Sequence, residues 1–165
     1  MPYATCVKLK LQYFPVPKNA GSSVRDCLFE IDNGWRYRPM IIDGRWVGLF
    51  EFFGFPAAFQ PAPDRPGYLR FTVVRDPLRR LLSTYANKVL DNPGVASADF
   101  AALGLRSDLP RAPDIETFVA YLDEYRLISN IRHHTNPQRY FLGEDLGHYH
   151  RVFRAEDLGE LERSL

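Results

Sequence analysis

The chain has 165 residues, 45% of them hydrophobic and 25% charged, with a formal net charge of +1. That length supports one domain with a real core, and the balanced charge excludes bulk electrostatic binding of nucleic acid. Cys6 and Cys27 are too few for a disulfide framework or a metal-ligand cluster, no run reaches membrane-spanning length, and the N-terminus lacks a signal peptide's apolar stretch, so a cytoplasmic protein is expected.

Residues 7–14 (VKLKLQYF) alternate and then turn apolar, which predicts a strand. Residues 15–21 (PVPKNAG) cannot continue it and form a loop. Ser22 or Ser23 then caps a helix whose inward stripe is Val24, Cys27, Leu28 and Ile31, closed by Asn33-Gly34. Residues 46–53 (WVGLFEFF) predict a second strand, and the proline-rich residues 55–67 a surface loop. Residues 69–74 (LRFTVV) predict a short buried parallel strand. Asp76 caps the next helix with Pro77 at its first position; its expected core stripe is Leu78, Leu81, Leu82, Tyr85 and Val89, and Asn92-Pro93-Gly94 stops it. A further helix is expected over residues 114–125, with Ile115, Phe118, Val119 and Leu122 inward. Residues 148–153 (HYHRVF) predict a last strand, before a charged helical tail.

Strand–loop–helix units in series predict a single α/β domain over residues 1–165, with a central, mainly parallel sheet flanked by helices. Ligands of such folds sit beyond the carboxyl ends of the strands, which is where the loops after Phe14 and Val74 lie.

The first of these loops has the chemistry of an anion site. The first N–H groups of a helix lack intrahelical partners and carry partial positive charge, so an anion fits there. Gly21 admits close approach, Ser22 and Ser23 add hydroxyls, and Lys18 adds a mobile full charge. An ordinary capped turn would also satisfy this pattern, and the G-x-x-x-x-G-K-[ST] nucleotide loop is absent. The second loop adds Arg75 at a strand end and Ser83 two helical turns on, away from the expected leucine stripe. Arginine's planar fork suits phosphate, and the chain favours arginine, with seventeen against four lysines, although genomic base composition also explains that bias.

Taken together, Pro17-Lys18-Asn19-Ala20-Gly21-Ser22-Ser23 and Arg75-Asp76-Pro77, Arg79 (or Arg80), Ser83 and Tyr85 resemble the two nucleotide motifs of the sulfotransferases, in particular the carbohydrate-sulfotransferase branch. His134-Thr135-Asn136-Pro137-Gln138 and residues 152–158 (VFRAEDL) are similar to later segments of that branch. The resemblance implies a P-loop-like three-layer fold and transfer of a sulfuryl group from 3′-phosphoadenosine 5′-phosphosulfate to an acceptor hydroxyl, with no metal. It implies that residues 17–23 bind the 5′-phosphosulfate, that Lys18 stabilises the leaving oxygen, and that Arg75 and Ser83 bind the 3′-phosphate. It also implies a further segment after Leu165 that closes over the 3′-phosphate and adenine.

The acceptor needs a base. Glu51 in its aromatic run is the first candidate, because burial disfavours a carboxylate's charged form; an edge-strand glutamate facing water is the competing reading. His134 and His133 follow, with structural packing as their alternative. His148 and His150 alternate on the expected last strand, where exposed sheet positions explain them more simply than a metal. Trp35, Arg36, Tyr37, Arg38, Arg45 and Trp46 suit a sugar or anionic glycan, or a half-buried hairpin. Two other functions stay open on the residues alone: a nucleotide kinase or hydrolase of related architecture, and a non-catalytic nucleotide- or glycan-binding domain. Oligomeric state is not legible.

Overall fold

The computed structural model describes residues 3–54, 58–60, 65–91 and 94–164. It divides into two units, residues 1–75 with 137–165 and residues 76–136. In the first unit, β1 (Ala4–Cys6) and β2 (Leu11–Phe14) pair antiparallel. The single strand expected over residues 7–14 is thus half a strand preceded by a turn. Lys10 turns the chain with a positive φ of 52°. The Asp32 carboxylate accepts from the N–H groups of Val7 and Lys8, each at 2.9 Å, so those amides bond a side chain instead of a neighbouring strand. The alternation of Val7 and Leu9 had suggested a buried face, yet both are exposed.

Helix α1 (Gly21–Asn33) ends on the left-handed Gly34, as the Asn33-Gly34 pair led one to expect. A two-stranded hairpin follows, β3 (Met40–Ile42) and β4 (Arg45–Val47). Residues 46–53 were expected to be one strand, but the strand stops at Val47 and α2 (Leu49–Phe53) replaces the rest. The reason is one half of a capping box: Gly48 sits at the cap and its N–H donates to Oε2 of Glu51, three residues on, at 2.8 Å. A short apolar run is ambiguous between strand and helix, and this polar bond decides it. The loop expected over residues 55–67 lies partly outside the described residues. β5 (Leu69–Val74) is the strand expected there.

The second unit is helical. Its first helix, α3 (Pro77–Tyr85), has the expected cap: Oδ1 of Asp76 accepts from the Arg79 N–H at 2.9 Å, with Pro77 in the first turn. The helix widens into a π-helical stretch over Ala86–Asp91; two residues of the expected Asn92-Pro93-Gly94 stop lie outside the described residues. Its inward face is not the leucine stripe. Leu78 and Leu82 are 64% and 47% exposed, while Arg80 and Thr84 are buried. Polar bonds to the carbonyls at the end of the helix over Ser129–Thr135 turn α3 this way: Arg80 NH1 donates to the Asn136 carbonyl at 2.7 Å and Thr84 Oγ1 to the His134 carbonyl at 3.2 Å. Leu81, Tyr85 and Val89 then reach the core of this unit. Helices α4 (Phe100–Leu103), α5 (Ile115–Ala120), α6 (Leu122–Tyr125) and α7 (Ser129–Thr135) complete it around Phe118, Tyr125 and Ile131. The helix expected over residues 114–125 is capped by Asp114 and broken at Tyr121, and Val119, expected inward, is exposed.

In the remainder of the first unit, α8 (Gln138–Leu142) and a 3₁₀ turn (Leu146–His148) lead into β6 (Arg151–Arg154), and α9 (Leu158–Ser164) follows. The last strand therefore starts later than residues 148–153 suggested, and His148 and His150 precede it. The sheet order is β1-β2-β5-β6, with β2–β5 and β5–β6 parallel. One face carries Tyr13, Phe71, Val73 and Phe153 against α1 and α9; the other carries Phe14 against Phe141, Leu142 and Tyr149. This is the expected α/β architecture, a mainly parallel sheet flanked by helices.

Candidate active site

β2 delivers the chain to its carboxyl end at Phe14, and residues 15–20 turn it into α1. Lys18 and Ala20 both take left-handed backbone, φ 68° and 59°, which costs any residue with a Cβ. Asn19 between them holds the turn. It is wholly buried, and its Nδ2 donates to the Val73 carbonyl at 2.8 Å and to Oε1 of Gln138 at 2.7 Å. Its backbone N–H donates to the Val16 carbonyl at 3.2 Å. Arg75 NH1 donates to the Lys18 carbonyl at 2.9 Å. The side chain of Asn19 thus serves the loop's architecture, while its main chain belongs to the loop itself.

The helix begins one residue before the serines expected to cap it. Ala20 is the cap, and it offers no side-chain acceptor. The first ladder bond runs from the Val24 N–H to the Ala20 carbonyl at 3.0 Å, so the N–H groups of Gly21, Ser22 and Ser23 stand ahead of the ladder. A helix of 13 residues concentrates positive potential there. Ser22 and Ser23 occupy its exposed first turn, where their hydroxyls supplement the backbone donors.

Gln138 ties this loop to the next. Its Oε1 also accepts from the Arg75 N–H at 3.0 Å, and its Nε2 donates to the Arg75 carbonyl at 2.8 Å. One amide therefore bonds both main-chain groups of Arg75 and the side chain of Asn19. The carbonyl partner at Nε2 and the donors at Oε1 fix which way the amide points. The sequence pointed to Pro137-Gln138 only as a likeness, with no role; a glutamine directly after a helix-opening proline was the one local signal. The structure brings Lys18 and Arg75 together at adjoining carboxyl ends of parallel strands.

The other expected site residues stand elsewhere. Ser83 is half-buried on α3, in the second unit. Glu51 is exposed and bonded to Gly48, so the burial that recommended it as a base is absent. His134, on α7, donates from Nδ1 to the Asn130 carbonyl at 2.8 Å, which in the neutral ring leaves the lone pair on Nε2. The His133 ring lies 5.1 Å from it. Burial first, then the charges of Arg80 and Lys88, hold His133 below the usual histidine range, so it stays neutral at pH 7. Asp32 anchors the turn after β1, and Cys6 Sγ also donates to it at 3.2 Å. His148 lies between the rings of Phe14 and Phe59, and Nδ1 of His150 accepts from the Arg70 N–H at 2.8 Å. Among the described residues no three potential metal ligands converge, and no helix is long and apolar enough to cross a membrane.

A mainly parallel sheet with a helix N-terminus, a lysine and an arginine gathered at neighbouring strand ends defines an α/β protein with a candidate anion site. Residues 2–164 match the Sulfotransferase family, and the chain belongs to it. It is accordingly a transferase that uses 3′-phosphoadenosine 5′-phosphosulfate. No individual curated protein and no solved structure matches the chain significantly.

Proposed function

We propose that this sulfotransferase delivers its sulfuryl group to a hydroxyl of a carbohydrate. The observation that carries this reading is the surface of the β3–β4 hairpin and the segment before it. Trp35 and Trp46 are 50% and 65% exposed, with Arg36, Arg38 and Arg45 exposed beside them. Trp35 is braced edge-on by Phe29, with ring centroids 4.9 Å apart, so it presents a firm ring. Exposed indoles suit the apolar face of a sugar, and guanidinium forks suit its polar or anionic groups. The hairpin includes only Arg45 and Trp46 of this stretch; Trp35 and Trp46 stand outward, whereas Tyr37 is half-buried and donates to the Val47 carbonyl at 2.8 Å.

In this reading the N–H groups of Gly21, Ser22 and Ser23 hold the 5′-phosphosulfate. Lys18 neutralises charge on the oxygen bridging phosphorus and sulfur as its bond to sulfur breaks. The protein's share is positioning and electrostatic stabilisation, as in phosphoryl transfer. Arg75 holds the 3′-phosphate; Ser83 comes to the same phosphate through the family resemblance alone. With Glu51 committed to a helix cap, we assign the acceptor's base to His134.

Two measurements test this. Calorimetry should show adenosine 3′,5′-bisphosphate binding well ahead of adenosine monophosphate and ATP. Arg75→Ala should weaken the bisphosphate roughly tenfold to a hundredfold more than it weakens the monophosphate, the worth of charge-assisted bonds to phosphate; any loss common to both reports the bond from Arg75 to the Lys18 carbonyl. An unaltered bisphosphate affinity would remove Arg75 from the 3′-phosphate. Transfer of radiolabelled sulfate should favour glycans over phenols, and Trp46→Ala should raise the glycan KM roughly threefold to tenfold at constant kcat. Equal transfer to phenols, with Trp46→Ala silent, would defeat the carbohydrate assignment.

A further inference from the structure

Arg25 heads the largest wholly buried side chains, at 0% exposure. Its Nε, NH1 and NH2 atoms have no hydrogen-bond partner among the described residues, and neither has the equally buried hydroxyl of Tyr13. The guanidinium carbon stands 5.0 Å from the centroid of the Phe50 ring, whose face attracts a cation. Burial lowers the pKa of Arg25, and Tyr13 is the neighbouring group that acts against this; among the described residues no carboxylate compensates the charge. A buried, unpaired cation destabilises a fold, and an apolar side chain of similar volume would often fold better.

Helix geometry places this charge. Helical side chains lean towards the N-terminus, so a long one covers the residues three and four places before it. For Arg25 these are Ser22 and Gly21. The Tyr13 hydroxyl marks the same spot, because a Cβ on Gly21 would lie 3.7 Å from it. Four residues of helix span about 6 Å. The guanidinium therefore lies on the core side of the first turn of α1, beneath the N–H groups that stand ahead of the ladder.

We propose that Arg25 is a positioning charge for the anion loop: its fixed, buried guanidinium strengthens the hold of the α1 N-terminus on the donor's 5′-phosphosulfate without touching it. This rests on reading residues 17–23 as the 5′-phosphosulfate loop. Through protein interior, a unit charge within about 10 Å changes an anion's binding by an order of magnitude. Being shielded from solvent, its effect is little screened by salt.

The test is calorimetry on the full chain with adenosine 3′,5′-bisphosphate and, separately, inorganic pyrophosphate, at low and high salt. R25M and R25Q should bind both roughly tenfold more weakly than the parent, by the same factor at either salt concentration. R25K, measured at a pH low enough to keep the buried lysine protonated, should stay within roughly threefold. R25M should melt no lower than the parent, because it removes an unpaired buried charge; R25Q carries the binding measurement if R25M does not fold. Parent-like affinity in R25M or R25Q overturns the proposal. So does an R25K loss as large as that of R25M, which would assign the effect to shape. A parent protein that binds pyrophosphate but does not distinguish the bisphosphate from adenosine monophosphate would remove the donor reading and leave Arg25 to be judged on pyrophosphate. A parent that binds neither removes both.

Discussion

Lys18→Ala should slow sulfuryl transfer roughly a hundredfold to a thousandfold while leaving the affinity for adenosine 3′,5′-bisphosphate within about threefold. The asymmetry follows from when the charge is needed. In the ground state the backbone donors of the α1 first turn already hold the donor. Negative charge on the bridging oxygen grows only as the bond to sulfur breaks, and an ammonium at that oxygen then stabilises the transition state selectively. The substitution is a clean one for this position. Both residues carry a Cβ in the left-handed backbone at φ 68°, so it adds no new class of strain, and the Lys18 carbonyl still accepts from Arg75. Single-turnover rates alongside calorimetry check the expectation. A rate within tenfold of the parent, or a loss of affinity equal to the loss of rate, would show that Lys18 merely binds.

Gln138→Ala should lower stability by about 2–4 kcal/mol, because it leaves the Arg75 N–H, the Arg75 carbonyl and the Asn19 amide without their partner. For a chain of this size that is a fall of roughly 5–15 °C in the melting temperature. The functional loss should accompany it. Lys18 and Ala20 keep unfavourable backbone only while their surroundings over-determine it, and Gln138 is half of what fixes Asn19 between them. Donor affinity should therefore fall roughly tenfold or more, although Gln138 is assigned no contact with the donor. Thermal melts and calorimetry on the same preparation decide it: an unchanged melting temperature would deny Gln138 its bracing role, and unchanged affinity in a destabilised protein would uncouple that role from the loop.

Much of the site was legible because its chemistry is local. The Asp76-Pro77 cap, the Asn33-Gly34 stop and the run from Pro17 to Ser23 each depend on residues within a few places of one another, and each stands where the pattern put it or one residue away. Glu51 was misread for an equally local reason. Its Gly48 partner lies three residues back, and the apolar run around it masks that pairing. The leucine stripe of α3 failed differently. Apolar periodicity says which leucines share a face, but Arg80 and Thr84 turned that helix through bonds to Asn136 and His134, 56 and 50 residues away.

By itself, then, the sequence determined the family, the sheet-and-helix class and the two loops at the strand ends, since caps, breakers and short motifs act over a turn or two of chain. Only the tertiary structure decided that Gln138, 119 residues from Asn19, locks those loops together, and that Arg25 is buried with no hydrogen-bond partner among the described residues. No neighbour along the chain reports which distant carbonyl will need a donor, or which charge will be closed off from water.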